Sequence, residues 1–266
     1  MMELPPEMPA EAEVALAGKP PVAEPALAAG IFLVDKPVGP SSFRMVQLVR
    51  RALSIKKVGH AGTLDPFASG LLIICVGRPA TRLISQFMDG SKRYEAVLQL
   101  GIETATQDLE GEVTARHEVR AFGQEELAHC LAGFVGEQMQ TPPQYSALKH
   151  KGKPLYHYAR QGITIEKAPR LITISRLELL EAGPDTLRIL VDCSKGTYIR
   201  TLAADIGRGL GCGAHLIALR RLRSGPFTVD DAVDGAVLQD SLSARQELLA
   251  KTLSVEEVLA KLARQE

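Results

Sequence analysis

One glycine-rich loop constrains this chain more than any other feature of its sequence. Residues 59–70 read Gly-His-Ala-Gly-Thr-Leu-Asp-Pro-Phe-Ala-Ser-Gly, and the glycines allow tight turns and a close approach of the backbone to a ligand. Because a residue before proline favours extended geometry, Asp65 is not expected inside a helix. The apolar run at 71–76 predicts a buried strand directly after the loop. Asp65 is therefore either a turn-forming aspartate or a carboxylate presented at a cleft.

The composition indicates a globular chain that can bury a core without metal or disulfides. Of the 266 residues, 45% are hydrophobic and 23% are charged, which suits one large domain or two small ones. The four cysteines form no C-x-x-C pair, so we expect small buried side chains rather than a metal or redox site. The N-terminus lacks a basic and apolar leader, and no apolar run reaches membrane-span length; a cytoplasmic protein without membrane association is predicted.

A net charge of zero conceals a segregated pattern of charge. Residues 1–30 and residues 230–266 each carry a net charge of −4, so residues 31–229 carry +8. A basic body with acidic ends is typical of a protein that binds phosphates, and an ordinary solvated surface is the alternative.

The order of predicted elements favours an α+β fold. Residues 1–29 are rich in Pro, Ala and Glu and are predicted to form a disordered acidic extension. Strands are predicted at 31–34, 71–76, 94–100, 171–181 and 186–193, and helices at 42–53, 79–88, 124–135, 198–210 and 236–264. The first helix, capped by Ser41 or Ser42, is predicted to bury Phe43, Val46, Leu48 and Val49. Irregular alternation of the two element types indicates a mixed or antiparallel sheet with helices.

A second segment with chemical character joins a predicted strand to a predicted helix. Residues 193–200 read Cys-Ser-Lys-Gly-Thr-Tyr-Ile-Arg. A helix N-terminus attracts anions, and Lys195 and Arg200 add positive charge there. Arg200 is either the partner that keeps a carboxylate such as Asp65 ionised or an ordinary surface arginine.

A third segment, residues 140–160, interleaves basic and aromatic side chains. Its bases include Lys149, Lys151, Lys153 and Arg160, and its rings include Tyr145, His150, Tyr156, His157 and Tyr158. This pattern is typical of RNA binding, in which lysine and arginine meet phosphates while rings stack on bases. A merely solvated loop is the alternative.

Together and in this order, these segments resemble the bacterial tRNA pseudouridine synthase B family, over residues 31–227. The matching motifs are Asp35-Lys36-Pro37-Val38-Gly39, the loop at 59–70, Lys92-Arg93-Tyr94, Leu100-Gly101, the series Thr104, Thr106, Asp108, Glu110 and Gly111, the segments 142–160 and 193–200, and Leu219-Arg220-Arg221. The resemblance implies an enzyme that isomerises uridine 55 of the tRNA T loop to pseudouridine.

The resemblance also implies a fold and a domain layout. We expect the pseudouridine synthase fold, a mixed and mostly antiparallel sheet flanked by helices, over residues 30–229. A thumb-like insertion at about 124–162 is expected to grip the T arm. Residues 230–266 are expected to form a short helical C-terminal segment, too short for the PUA-type RNA-binding domain of many relatives.

The site residues follow from the same resemblance. Asp65, Tyr94 and Arg200 are the expected catalytic residues, and His60, Tyr94, Tyr198 and Leu219 the expected substrate contacts. The expected RNA-binding bases are Lys36, Lys149, Lys151, Lys153, Arg160, Lys195, Arg220 and Arg221. No metal or cofactor is expected, because the reaction involves no redox change or external energy. The expected partner is the tRNA T stem-loop, with no obligate protein partner and a monomeric enzyme.

The sequence allows two alternatives for the role of Asp65 and two for the role of His60. An ionised Asp65 is able either to trap C1′ of the ribose or to remove the C2′ proton, and we favour the second route. His60 is expected to fill the gap left by an extruded uridine, or else it stabilises the loop. Action on another RNA, and a non-catalytic RNA-binding or RNA-folding protein on the same scaffold, are the competing functions.

Overall fold

A computed structural model describes residues 27–146, 148–159 and 161–264, without the side chains of Lys149 and Tyr156. Most of the predicted extension at 1–29, and Arg160, therefore lie outside the described residues. The strands are β1 (Gly30–Lys36), β2 (Val58–Ala61), β3 (Ser69–Val76), β4 (Lys92–Leu100), β5 (Ile102–Thr104), β6 (Val113–Arg116), β7 (Gly136–Gln140), β8 (Lys149–His150), β9 (Lys153–Pro154), β10 (Arg170–Ala182), β11 (Thr186–Cys193), β12 (Ala214–Ser224), β13 (Phe227–Thr228) and β14 (Val233–Asp234).

The helices lie between these strands and after the last one. They are α1 (Ser42–Leu53), α2 (Gly77–Thr81), α3 (Ile84–Asp89), α4 (Gln124–Ala132), α5 (Leu155–Ala159), α6 (Ile199–Gly209), α7 (Ser241–Ala250) and α8 (Val255–Ala263), with short 3-10 turns at Val229–Asp231 and Gly235–Gln239. No helix within the described ranges has the length and apolar character needed to cross a membrane.

One large mixed sheet organises the part of the chain that the structure describes. Its strands run in the order β14-β1-β3-β12-β4-β11-β10-β7, with β2 added to β3 and β13 added to β12. The β1–β14 and β3–β12 pairs are parallel, and the other pairs are antiparallel. The expected mixed, mostly antiparallel sheet is confirmed.

Helix α1 shows how local sequence fixes one element. The Ser41 hydroxyl caps its N-terminus by accepting a hydrogen bond from the Arg44 amide at 3.1 Å. The helix ends where Ser54 adopts a left-handed conformation with φ of 56°. Its buried face contains Met45, Val46, Leu48, Val49, Ala52 and Leu53. The prediction that Phe43 joins this face is wrong, because Phe43 is 55% exposed and lies under the Arg50 guanidinium instead.

Two predicted elements have different boundaries in the structure. The single helix predicted at 79–88 is divided into α2 and α3, with a break at residues 82–83. Part of the loop at 59–70 forms β2, which pairs antiparallel with β3. The strand β12 was not predicted at all, although it is a central strand of the sheet.

The C-terminal segment belongs to the main body. It is helical as predicted, but β14 also pairs in parallel with β1. Leu238, Ala244 and Leu248 are fully buried with the apolar side chains of β1, β3 and α1. Residues 233–258 therefore help to hold β1, which pairs with β3, the strand that follows the Asp65 loop.

The segment expected to be thumb-like, residues 124–162, also divides in two. The strand β7 pairs with β10 in the main sheet, and Leu127 and Leu131 of α4 are buried against the same core as α6. The described residues within 141–169 lie outside the large sheet and carry the β8–β9 hairpin and α5. We call residues 141–169 the thumb segment.

Candidate active site

The loop that carries Asp65 is fixed on both sides of the carboxylate. Leu64 and Phe67 are buried in the core shared with β4 and α6. The Ser42 hydroxyl donates to the Leu64 carbonyl at 3.0 Å and accepts from the Leu64 amide at 2.9 Å. The Lys36 ammonium donates to the Pro66 carbonyl at 3.3 Å. These contacts hold the backbone rigidly, while the Asp65 side chain remains 37% exposed.

Arg200 lies at the start of α6, is buried and joins four partners. Its Nε lies 3.1 Å from Asp65 Oδ2, and its Nη1 lies 3.0 Å from Asp108 Oδ2. Nη1 also donates to the Thr106 carbonyl at 2.9 Å, and Nη2 donates to the Tyr145 carbonyl at 2.7 Å. The expected pairing of Asp65 with Arg200 is thus present, but through one donor, since the other donors are occupied.

This arrangement controls the charge of Asp65. Burial raises the pKa of the Asp65 carboxyl above its ordinary value of 3.8, and the nearby Arg200 cation opposes that rise. The Asp108 carboxylate raises the pKa further, and Lys36 lowers it. Asp108 itself is buried, and it accepts hydrogen bonds from the Thr106 hydroxyl and the Glu110 amide. Arg200 is therefore the cation between two carboxylates, only one of which faces solvent.

Asp65 and Arg200 face a cavity of about 340 Å³. It is lined by the Asp65 loop, the end of α3, strand β4, the thumb segment, the start of β10, residues 194–200 at the start of α6, and strand β12. Its lining includes Lys92, Tyr94, Ser146, Arg170, Tyr198, Leu219 and Arg221. A volume of this size suits a single nucleoside.

Tyr94 lies on β4 and is largely buried beside the cavity. Burial raises the pKa of its hydroxyl, and the nearby Arg221 cation opposes that rise. The phenol is therefore protonated at neutral pH and presents both a ring face and a hydroxyl to a bound ligand. This placement brings it into one cavity with Asp65 and Arg200.

The three other expected substrate contacts are placed differently. Tyr198, immediately before α6, lines the cavity with the Arg170 guanidinium 4.8 Å from its ring centroid. Leu219 lines the same cavity from β12. His60 lies on β2, outside the set of described residues that line the cavity. Its Nδ1 is buried and has no hydrogen-bond partner among the residues that the structure describes. Burial lowers the pKa of the ring, so the ring is neutral at pH 7.

Two of the expected RNA-binding bases require correction. Lys36 is fully buried, and its ammonium donates to the carbonyls of Pro37, Pro40 and Pro66. Arg221 is 2% exposed and donates to the carbonyls of Leu71 and Gly62. Neither side chain is exposed on the protein surface, although Arg221 lines the cavity. Both are structural cations that hold the loops of the site, because each is bonded to backbone carbonyls.

The remaining bases lie nearer the surface. Arg220 forms a two-donor pair with Asp35 at 3.0 and 2.6 Å. Lys195 is 62% exposed and pairs with Asp89 at 2.7 Å. Lys151 and Lys153 are exposed on the thumb segment. The Lys149 side chain and Arg160 lie outside the described residues.

Sequence reasoning missed three residues of this site. Asp108 appeared in a matching motif, but nothing in the sequence indicated that it binds Arg200. Lys92 lines the cavity and donates to the carbonyls of Met88 and Gly90. Burial, and then repulsion from Arg221, lowers the pKa of Lys92 to about 8. The third residue, Ser146, is a buried hydroxyl of the thumb segment.

Histidine, cysteine and acidic side chains do not cluster in the described part of the chain. No group of three or more His, Cys, Asp or Glu side chains is arranged there to hold a metal ion. Cys75, Cys193 and Cys212 are buried free thiols, as expected, and Cys130 is half-buried. The groups gathered at the cavity are a carboxylate, its arginine and a tyrosine, which suit proton transfer or attack on a sugar carbon.

Comparison with known proteins identifies the family. The family model described as "TruB family pseudouridylate synthase (N terminal domain)" matches residues 50–199, and the model "tRNA pseudouridylate synthase B C-terminal domain" matches residues 200–261. A protein of Desulfotalea psychrophila described as tRNA pseudouridine synthase B is 58% identical over 86% of this chain and 95% of its own length. One of Bordetella parapertussis with the same description is 52% identical over 83% and 91%.

Solved structures agree with this assignment. A chain of "Crystal Structure of a Cbf5-Nop10-Gar1 Complex" superposes with a TM-score of 0.67 at 26% identity. The superposition covers 89% of this chain and 63% of that chain. The resemblance found in the sequence motifs is confirmed: this chain belongs to the TruB family of pseudouridylate synthases.

Proposed function

We propose that this protein isomerises uridine 55 in the T loop of tRNA to pseudouridine. The observation that carries the proposal is the Asp65 carboxylate, which faces the cavity while the buried Arg200 binds its Oδ2 at 3.1 Å. The described functions of the most similar relatives, all tRNA pseudouridine synthase B, support tRNA as the substrate.

The reaction requires an ionised carboxylate next to the ribose. On the route that we favour, Asp65 removes the C2′ proton while the C1′–N1 bond breaks, which leaves a glycal and a uracil anion. On the other route, Asp65 adds to C1′ as the uracil anion leaves. Arg200 supports both routes, because a cation close to Asp65 favours its charged form at neutral pH.

The freed uracil then turns within the cavity and presents C5 to C1′. On the glycal route, C5 bonds to C1′, the proton returns to C2′, and the C5 proton leaves. Tyr94 is the proposed partner of the base, since its ring is able to stack on uracil and its protonated hydroxyl is able to relay the C5 proton. Tyr198 and Leu219 are the proposed contacts that keep the base inside the cavity.

A uridine within a folded T loop must leave its stack to reach Asp65. Extrusion costs a few kcal/mol, and a protein side chain commonly fills the gap. We assign this role to His60, because its neutral ring is only half-buried and its Nδ1 has no partner in the described protein. A neutral ring is suited to stacking among bases.

The thumb segment is the proposed grip on the T arm. Lys151 and Lys153 are exposed there, and they would supply a sequence-independent, salt-sensitive share of the affinity. Lys195 and Arg220 already have carboxylate partners, so we assign them a smaller share. We propose a monomer that acts on tRNA in the cytoplasm.

The test is the release of tritium from C5-labelled uridine in a T-arm transcript. Wild-type protein is expected to release the label with a stoichiometry of about one per transcript and to place pseudouridine at position 55. Asp65→Asn is expected to release none. The matched control is Asp185→Asn, an exposed aspartate in the β10–β11 turn, which should behave as wild type.

Three results would contradict the proposal. Release from wild type and Asp65→Asn alike would remove Asp65 from the reaction. Binding of the transcript without any release by the wild type would favour a non-catalytic RNA-binding protein. If pseudouridine mapping in cellular RNA from a deletion strain showed losses only outside the T loop, the substrate would be reassigned.

A further inference from the structure

Ser146 places a buried hydroxyl at the catalytic cavity, and this hydroxyl has no hydrogen-bond partner within the described part of the chain. The residue is 4% exposed and lines the cavity, and its Oγ is one of four buried side-chain atoms that lack a partner among the described residues. Buried polar groups are nearly always hydrogen-bonded, because an unpaired one costs about 1–3 kcal/mol. A hydroxyl that is unpaired at a substrate cavity points to a partner on the substrate.

The position of Ser146 is tied to the catalytic carboxylate. The carbonyl of the preceding residue, Tyr145, accepts a hydrogen bond from Arg200 Nη2 at 2.7 Å. Nε of the same guanidinium lies 3.1 Å from Asp65 Oδ2. One rigid, planar group therefore holds both the backbone before Ser146 and the carboxylate that acts on the sugar.

We infer that the Ser146 hydroxyl binds the ribose 2′-hydroxyl of the target nucleotide, and this inference rests on the proposed function. Asp65 must reach C1′ or C2′, so the substrate group beside the guanidinium is the ribose. The base turns during the reaction, whereas the ribose stays attached to the RNA backbone and offers a lasting partner. A serine hydroxyl and a 2′-hydroxyl each donate and accept, so one hydrogen bond satisfies both.

This contact would make Ser146 a specificity residue. The 2′-hydroxyl is the group by which a protein distinguishes RNA from DNA at a given nucleotide. A site built around a hydroxyl binds the analogue without it less well, because its own buried group is then left unpaired. The other unpaired atom at the cavity, Arg170 Nε, carries a cation better suited to a phosphate than to a sugar hydroxyl.

The experiment measures binding of two T-arm transcripts that differ only in having uridine or 2′-deoxyuridine at the target position. Asp65→Asn is used as the background, so that neither transcript is turned over. Adding Ser146→Ala is expected to weaken binding of the ribose transcript about three- to tenfold and to leave the 2′-deoxy transcript within about twofold. An equal loss on both transcripts, or no loss on either, would overturn the inference.

Two further variants separate loss of the hydrogen bond from a general effect of substitution. Ser175→Ala removes an exposed hydroxyl of β10 outside the cavity lining and should change neither affinity. Ser146→Cys keeps the shape of the side chain with a weaker hydrogen-bonding group, so a smaller loss confined to the ribose transcript is expected. A loss of the same size on both transcripts in Ser146→Cys would contradict the inference even if the alanine variant folded poorly.

The failure of this inference and that of the proposed function are distinguishable. If wild-type protein releases no tritium from the T-arm transcript, the proposed function fails. If wild type releases tritium but Ser146→Ala leaves the ratio of the two affinities unchanged, only the contact between Ser146 and the 2′-hydroxyl fails.

Discussion

Two buried arginines line the same cavity, and they differ in what they bind. Arg200 contacts two carboxylates, Asp65 and Asp108, whereas Arg221 donates to the carbonyls of Leu71 and Gly62. A guanidinium against carboxylates sets their charge, and one against carbonyls sets the path of the backbone. Burial and residue type are therefore not enough to assign a role; the partners decide it.

The electrostatic effects of the two arginines follow the same division. Arg200 counteracts the burial that raises the pKa of Asp65. Arg221 has no carboxylate partner among its described contacts, and its charge adds to burial in lowering the pKa of His60 and of Lys92. We expect Arg200 to matter for the reaction itself and Arg221 for the shape of the cavity.

The largest effect is expected when the carboxylate that distinguishes the two arginines is removed. Asp65→Asn should lower single-turnover pseudouridine formation by at least about 10³-fold, because no other group at the cavity replaces the ionised carboxylate. Binding of the T-arm transcript should stay within about twofold. Loss of binding with unchanged turnover of the bound RNA would show that Asp65 anchors the substrate.

The same variant should not be less stable than the wild type at neutral pH. Because the folded-state pKa of Asp65 is raised, its contribution to stability is present below the unfolded pKa and is lost as the pH rises through the folded value. At pH 7 the partly buried charge of Asp65 opposes folding, so Asp65→Asn should match or exceed the Tm of the wild type. A clear drop in Tm would contradict this sign.

The next largest effects are expected when each arginine is replaced by methionine, in Arg200→Met and Arg221→Met. Arg200→Met should cut turnover about 10²-fold, more than it cuts tRNA affinity, and lower the free energy of unfolding by about 3–5 kcal/mol, because Asp108 then carries an uncompensated buried charge. Arg221→Met leaves two carbonyls unpaired, which costs about 2 kcal/mol or more.

Turnover per folded molecule should fall less in Arg221→Met than in Arg200→Met. We expect turnover to fall about tenfold in Arg221→Met, because the Asp65 carboxylate still has Arg200 beside it in that variant. The measurement is single-turnover kinetics on protein whose folded fraction is known from thermal unfolding. A larger turnover loss in Arg221→Met would reverse the roles assigned to the two arginines.

Lys36 is a third buried cation and, like Arg221, it donates to backbone carbonyls. Burial lowers the pKa of Lys36 to about 8 from 10.5, so the unfolded chain binds more protons between those two values. The stability of the wild type relative to Lys36→Met should therefore rise with pH across that window, by up to about 3 kcal/mol. Parallel pH profiles of unfolding would contradict this, and Lys57→Met, at an exposed lysine, is the control.

The smallest effect is expected at bases that neither arginine touches. Replacing both Lys151 and Lys153 with alanine should reduce the slope of log affinity against log salt by about one to two and leave saturated turnover unchanged. Binding titrations at several salt concentrations measure the slope. A fall in saturated turnover would mean that the thumb segment positions the target uridine as well as binding the arm.

The sequence predicted most clearly the elements that local rules decide. Helix α1 begins at a serine cap and carries its apolar residues at helical spacing, so its bounds were predictable. Strand β12 was not, because Arg220, Arg221 and Arg223 interrupt any apolar alternation. Arg221 is buried there only because the carbonyls of Leu71 and Gly62 meet it, and those lie about 150 residues earlier in the chain.

The candidate site followed the same pattern. Opposite charge made the approach of Asp65 to Arg200 one of two possibilities, and the resemblance to the family favoured it. The role of Asp108 was not, since its contact with Arg200 depends on how the segment after β4 folds back. Lys36 and Arg221 were misjudged because a base is expected at the surface unless something shows that it has acceptors in the interior.

The most direct test of the account is a titration of the Asp65 carboxyl carbon by ¹³C NMR, assigned through Asp65→Asn. The midpoint in the wild type should lie above 3.8, with the group ionised at pH 7. It should rise in Arg200→Met and remain close to the wild-type value in Arg221→Met. An unchanged midpoint in Arg200→Met, or an equal rise in both variants, would contradict the claim that Arg200 keeps Asp65 charged.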